Sequence, residues 1–388
     1  MRSSLARIDV VGAGAWGLSV ALSLLEQDAK NVHVWEREHP GTGATGRAAG
    51  LVSTHLRQES DIRLVLETRQ RLLALRAWGL ERELPSARGV YHAPGNLTTM
   101  PSAQRPRLEH LSERIRRAGG DCELIEPKVL RARRWPFIGF EDSVGIHSTE
   151  DGYVEAQDLV DLLGARVREG GGTIHAQSPV RLRFNGNTCV GLEGPDGSVD
   201  SDHVVLAAGA WSKELLGRSR IPVPIKPYRT QLAQIEYPSH DVPVFHDTEQ
   251  HVYARPDGPT RILVGDGTEH VEATADGYRT SVDDWFIEKI AAAVSRRFRS
   301  GAQARYRTGW AGLCVATPDR DPLIGPYPTM TNLSLMVGDN GFGVMRCIAL
   351  GRIAAHGVLG IKAPEAKTYD PGRVAMDADF EVREGFEL

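Results

Sequence analysis

At 388 residues, 41% hydrophobic and 25% charged with a net charge of −4, the chain has an ordinary globular composition and room for two or three domains. The slight acidity excludes a basic nucleic-acid footprint, and four scattered cysteines without a Cys-X-X-Cys pair give no basis for a metal centre or disulfide framework. The apolar or small run at 10–25 is shorter than the roughly 20 residues that cross a bilayer, so a cytoplasmic chain without a membrane span is expected.

The sequence GAGAWG at 12–17 is flanked by a β-type run, IDVV at 8–11, and an apolar stretch of helix length at 18–25. A second β-type run, VHVW at 32–35, delivers Glu36 with Arg37 beside it. This is the β-turn-α-β unit of a dinucleotide-binding half. Gly12 permits the tight turn, Gly14 lets the backbone approach a pyrophosphate, and Gly17 lets the helix pack on the strand. Ala13, Ala15 and Trp16 complete the turn and open the helix, whose free N–H groups favour phosphate. Glu36 is spaced to accept hydrogen bonds from ribose hydroxyls.

Residues 41–52 (GTGATGRAAGLV) then read as an extended loop with Arg47 in it. Residues 64–80, with Leu64, Leu72 and Leu75 at helical spacing among alternating charges, read as a surface helix, 85–106 as strand and loop, and 108–118, with Glu and Arg at close helical spacing, as a solvated helix. A β-helix-β unit is expected over 145–174, its helix carried by Ala156, Leu159, Val160, Leu163 and Val167. Polar turns at 185–187 and 195–197 predict hairpins, and a buried-type strand at 203–208 stops at Gly209. From Pro222 the pattern becomes antiparallel: strands at 231–237, 251–255 and 261–264, then a helix at 282–299. The end returns to a strand at 333–337, a Gly-rich turn at 338–343 and a helix at 344–359. The expected fold is α/β plus α+β: a Rossmann-type domain in three parts (1–84, 145–221, 305–388) with an inserted antiparallel-sheet substrate domain (85–144, 222–304).

Four segments, in order, resemble the D-amino-acid oxidase superfamily of FAD enzymes, which includes sarcosine oxidase, glycine oxidase and amino-acid dehydrogenases. They are the GAGAWG unit with Glu36 and Arg37, GATGRAAG at 43–50, VVLAAGAW at 204–211, and the stretch 310–351. The last holds WAGLCVATPDRDPLIG and LSLMVGDNGFGVMRCIALG, most similar to sarcosine oxidase β-subunits and proline dehydrogenases. The resemblance implies a pyrophosphate on residues 12–17, an adenosine ribose on Glu36 and an adenine against the backbone of Val180. Ala208, Gly209 and Trp211 would close the same side. Thr45, Arg47, Ala49, Gly50 and Leu51 would run along the flavin. Gly338, Gly341, Phe342, Gly343, Val344 and Met345 would lead into a helix whose first N–H groups favour negative charge on the reduced ring.

The chain also departs from the family. Gly312 stands where several relatives attach FAD to cysteine, so the resemblance implies non-covalent FAD. Cys314 replaces a carboxylate-binding Arg of glycine oxidase-like relatives, and Met345 replaces a frequent Lys or His. Arg229, Tyr253, Arg346 and His55 remain as candidates for substrate contact, with Arg229 the expected carboxylate anchor. The implied activity is oxidation of the CH–NH bond of a small amino or imino acid by hydride transfer from Cα. A dehydrogenase passing electrons to a dye or quinone is expected. An oxygen-using oxidase, a flavoprotein subunit of a heteromeric complex and an NAD-dependent dehydrogenase are the alternatives, and a homo- or hetero-oligomer stays open.

Overall fold

Short apolar runs bounded by turns build the first sheet, whose strands are almost wholly buried, as parallel strands covered on both faces must be. The computed structural model describes residues 7–132, 135–267, 270–271 and 274–382. Six strands run in the order Leu323–Pro326, Leu333–Val337, His203–Leu206, Ile8–Val11, Val32–Trp35, Thr173–His175. All pairs are parallel except that of Leu323–Pro326 with Leu333–Val337. Helix Ala15–Glu26 follows the first strand and packs on the last long helix, Gly343–Val358. The approach is backbone-close: a Cβ at Gly351 would lie 2.6 Å from that of Ser19, and one at Gly17 would collide with the Gly12 carbonyl oxygen.

The second sheet has nine strands. Its centre is Lys226–Glu236, paired antiparallel to both Arg261–Gly265 and the long strand Arg305–Ala316. Beyond Arg261–Gly265 come Val252–Pro256, Val244–Asp247, Asn96–Pro101, Ser143–Ser148 and Glu123–Ile125. Phe137, Phe245 and Phe298 pack against one another on this sheet with Phe286 and Ile290 of helix Asp284–Arg297. The predicted hairpins form a separate three-stranded sheet of Arg181–Asn185, Thr188–Gly194 and Gly197–Asp200.

Three expectations need correction. The helix of the 145–174 unit is there, Ala156–Glu169, but its first strand, Ser143–Ser148, belongs to the second sheet, which is antiparallel except where Val244–Asp247 pairs with Asn96–Pro101. The boundary at 144/145 therefore cuts a strand. The boundary at 304/305 also misplaces Arg305–Ala316, which is hydrogen-bonded along the length of Lys226–Glu236. The supposedly solvated helix, Arg105–Ala118, buries Leu108, Leu111 and Ile115 on one face beneath its charged one. The expected surface helix is Glu59–Glu81: Leu64, Leu72 and Leu75 lie on its buried stripe with Ile62 and Val65, and this face packs against Gly343–Val358. In both helices the apolar stripe was diluted by charges but still repeats at helical spacing.

Candidate active site

A cavity of about 930 Å³ lies where the two sheets meet, within the size range of cofactor and ligand sites. Its wide end is built by backbone turns. Gly12 has φ +107°, and a Cβ there would come within 2.5 Å of the Ala207 carbonyl oxygen, so glycine alone holds the turn without a clash. The N-cap of the first helix is Gly14, which has no side chain to cap the first-turn N–H groups; Ala15 N–H donates to Thr45 Oγ1 at 3.1 Å. Glu36 is fixed by two backbone donors, Ala13 N–H on Oε2 and Glu38 N–H on Oε1, both at 3.0 Å. Val180, Ala208 and Gly209 line the same end.

A strap from the antiparallel side crosses this end. Asp276 Oδ1 accepts from Arg37 Nη1 at 2.9 Å and from Trp211 Nε1 at 2.6 Å, while the Arg37 guanidinium stacks 4.3 Å over the Trp211 ring. These bonds hold the Asp276 carboxyl below the usual range. Ala275, Gly277, Tyr278 and Thr280 of the same segment also line the cavity, and no sequence motif pointed to them.

In the middle, Arg47, Ala49, Gly50 and Leu51 face the start of helix Gly343–Val358. Trp16 Nε1–H donates to the Gly343 carbonyl at 2.8 Å, tying together the N-termini of the two helices. The second N-cap, Phe342, likewise has no side-chain acceptor to offer its first turn. Asp339 and Asn340, absent from the sequence reading, shape the turn. Asp339 accepts from Val315 and Gly341 N–H, and Asn340 clamps Thr317 and the Gly338 carbonyl. Burial pushes the Asp339 carboxyl up to about 6. The Arg47 stem lies against Gly312, where a Cβ would sit 3.0 Å from that of Arg47.

The inner end is made of side chains: Tyr228, Thr230 and Leu232 from one strand, His246 and Tyr253 from two more, with Cys314 and Met345. Tyr253 reaches in across Gly265, where a Cβ would strike the phenol ring, and its ring centroid is 6.1 Å from that of His246. The Tyr228 hydroxyl reaches Gly341, 3.1 Å from where a Cβ would stand. Burial raises the Tyr253 phenol and pushes the His246 imidazole down to about 4, so the imidazole is neutral at neutral pH.

Most predicted cofactor residues line this cavity: Gly12, Gly14, Ala15, Trp16, Glu36, Arg37, Thr45, Arg47, Ala49, Gly50, Leu51, Val180, Ala208, Gly209, Trp211, Gly312, Gly338, Gly341, Phe342, Gly343, Val344 and Met345. Ala13 and Gly17 do not; Ala13 contributes its N–H to Glu36, and Gly17 the close packing of helix on strand. Of the four substrate candidates Tyr253 alone lines the cavity. Arg229 lies on the opposite face of its strand from Tyr228 and Thr230. There it pairs with Asp283 at 2.8 Å and donates to the Arg279 and Ser281 carbonyls. Arg346 points back to Asp61 at 2.5 Å and the Asp339 carbonyl at 3.2 Å. His55 is enclosed between Thr98 and Ser148. All three are buried polar side chains that found partners inside the protein.

The parallel sheet, the glycine cradle at two open helix N-termini and the acidic residue after the second strand define a dinucleotide-binding protein. The family model for DAO-type FAD-dependent oxidoreductases matches residues 7–356, and the chain belongs to that family; its cofactor is FAD. The human mitochondrial dimethylglycine dehydrogenase is 23% identical over 94% of this chain. The chain spans 44% of that relative, less than half its length. A D-amino acid dehydrogenase of Paramagnetospirillum magneticum is 27% identical over 86% of this chain and 79% of its own. The L-proline dehydrogenase of P. horikoshii superposes with a TM-score of 0.85 at 19% identity, covering 95% of this chain and 97% of that one.

Proposed function

We propose that the chain oxidises the CH–NH bond of a small amino or imino acid and passes the electrons to an acceptor other than oxygen. Bound FAD supplies the two-electron acceptor. The residues to hold it are Glu36 for the ribose, the Gly12–Gly14 turn for the pyrophosphate and residues 45–51 along the ring, with Gly312 leaving its attachment non-covalent. The observation that carries the substrate reading is the inner end itself. Tyr228, Thr230, His246 and Tyr253 converge there, beside the segment 49–51 and the start of the last helix. Hydroxyl donors from Tyr228 and Thr230 orient a carboxylate, with Arg47 supplying positive charge along the wall. The phenol of Tyr253 and the neutral imidazole of His246 face the amine. Leu232 and Met345 keep the reacting C–H in an apolar setting, where misorientation is costly.

Met345 and Arg346 support the dehydrogenase reading. A positive charge at the start of the last helix would favour the developing anion of oxygen reduction there; Met345 offers none, and Arg346, the adjacent cation, is committed to Asp61. Related structures include both dehydrogenases and oxidases, such as the iminodiacetate oxidase from Chelativorans sp. BNC1. The test is an anaerobic panel of amino, imino and N-methylated amino acids, read by loss of the oxidised flavin spectrum, followed by mixing with oxygen or a dye. Bleaching by at least one of these amines and faster reoxidation by the dye are expected. No bleaching, or reoxidation by oxygen as fast as by dye, would reject the corresponding half of the proposal.

A further inference from the structure

Directly behind the inner end lies a set of buried polar groups with no part in holding cofactor or substrate. Thr54, His55, Thr98, Ser148 and Asp151 are each at most 1% exposed. Burying so many hydrogen-bonding groups is costly unless they are joined into a satisfied network. They are joined in one line. Thr98 Oγ1 is 2.7 Å from His55 Nδ1, and His55 Nε2 is 3.1 Å from Ser148 Oγ. Ser148 Oγ is 3.4 Å from Thr54 Oγ1, which donates to Asp151 Oδ2 at 2.7 Å. Asp151 Oδ1 meets Arg69 at 3.3 Å, and Arg69 also pairs with Glu150, whose side chain is 65% exposed. At the inner end of the line, His246 stands opposite Thr98 on the adjoining parallel strand and lines the cavity.

The carboxylate sets the polarity of the line. Asp151 accepts from Thr54, so the Thr54 oxygen accepts from Ser148, Ser148 from His55 Nε2–H, and His55 Nδ1 from Thr98. Every hydrogen thus points from the cavity toward the surface. We propose that this line is a proton path from His246 to Asp151, taking away the proton that a substrate ammonium must lose before its C–H bond is oxidised. It rests on the amine-oxidation reading above. The ammonium N–H bond breaks, the electron pair stays on nitrogen and the proton binds His246. The imidazole turns to its register partner Thr98 and hands the proton to that hydroxyl oxygen; each hydrogen in line then shifts one partner outward until Asp151 holds one and releases it beside Glu150, and no oxidant is consumed.

The surroundings suit the task. Burial pushes the Asp151 carboxyl up to about 6 against the pull of Thr54 and Arg69, so it both takes and gives up a proton near neutrality. His55 is held well below the ordinary imidazole range by burial and by His246 and His147, so it passes a proton on without keeping it. The other groups facing the line are accounted for. The Tyr91 hydroxyl donates to the Glu150 carbonyl, the His147 ring packs on Trp135, and Asp247, next to His246, is paired with Arg297 at 2.5 Å.

The test uses the holoenzyme with Thr54→Val, which removes one link yet keeps the backbone N–H that also holds Asp151. Ser148→Ala is the second break and Thr54→Ser the control. Anaerobic flavin reduction by an amine is followed from about pH 6 to about pH 10, spanning the ordinary range of amine ionisation. Each break is expected to slow reduction about tenfold at the acid end, the low side of general acid–base effects, with the deficit closing at alkaline pH. Added imidazole should restore the rate, and Thr54→Ser should match the parent. Equal slowing at every pH without imidazole rescue, or no slowing, overturns the path. If no amine reduces the flavin, the functional reading falls, and dithionite reduction with a pH indicator decides the path alone. Proton uptake lagging electron arrival in Thr54→Val supports it; simultaneous uptake overturns it.

Discussion

The two ends of the cavity are built by opposite means. At the wide end the backbone does the work: glycines set the turns, N–H groups open toward the cavity, and one carboxylate is fixed by two main-chain donors. At the inner end the backbone merely alternates, and the character of the site depends on which side chains of four strands turn inward. The first kind of site is written in local spacing. The second depends on strand register, where a one-residue difference exchanges the faces: Arg229 was expected inside, and its neighbours Tyr228 and Thr230 are the residues that face the cavity.

The largest test of this contrast is Gly17→Ala. The added methyl meets the Gly12 carbonyl oxygen, so backbone must move at the turn itself. A protein that is insoluble or emerges without flavin is expected, a loss of ~4 kcal/mol or more. Next is Arg229→Ala, which leaves Asp283 buried without this partner. Because Arg279 and Gln231 still hold the carboxylate, it should cost about 1.5–3 kcal/mol of unfolding free energy in urea, with the KM of the remaining folded enzyme unchanged. A strongly raised KM at unchanged stability would return Arg229 to the substrate site.

Smaller effects separate the parts of the wide end. Glu36→Ala removes a charged acceptor and should weaken FAD retention by ~1.5–3 kcal/mol, seen as flavin fluorescence released on dilution. Asp276→Ala unties the strap from Arg37 and Trp211. Because this pair is more than a third exposed, the expectation is a few-fold faster flavin release at low salt that fades as salt rises. The smallest effect lies outside the cavity. Burial lowers His203 to about 4, so its neutral form stabilises the fold above the ordinary imidazole value, and that contribution is lost as pH falls toward 4. His203→Gln, able to keep the bond to Ser334, should show a shallower loss of thermal stability on acidification than the parent. Equal slopes would remove His203 from the acid response.

Both charged segments were legible as helices, but the buried face of Arg105–Ala118 was hard to read because its seven Arg and Glu outnumber the five buried positions in the same turns. The strap residues Asp276 and Tyr278 carried no signal at all. Their role exists only because a segment more than 200 positions from Glu36 in the chain lies against Arg37 and Trp211. Asp339 and Asn340 were legible in principle, since Asp-Asn-Gly is turn chemistry in which short polar side chains hold their own backbone.

By itself the sequence determined the dinucleotide-binding turn, the carboxylate that follows it and the Gly-rich start of the last helix. Each is a contiguous stretch whose glycines are required by backbone conformation or close approach, and such requirements do not depend on distant residues. Tertiary structure alone decided which polar side chains line the inner end of the cavity. Arg229, Arg346 and His55 each found buried partners from elsewhere in the chain, while His246 and Tyr228 were brought to the cavity by strand pairing. A buried charge or imidazole turns to whichever face can satisfy it, and only the folded arrangement of strands and helices supplies that partner.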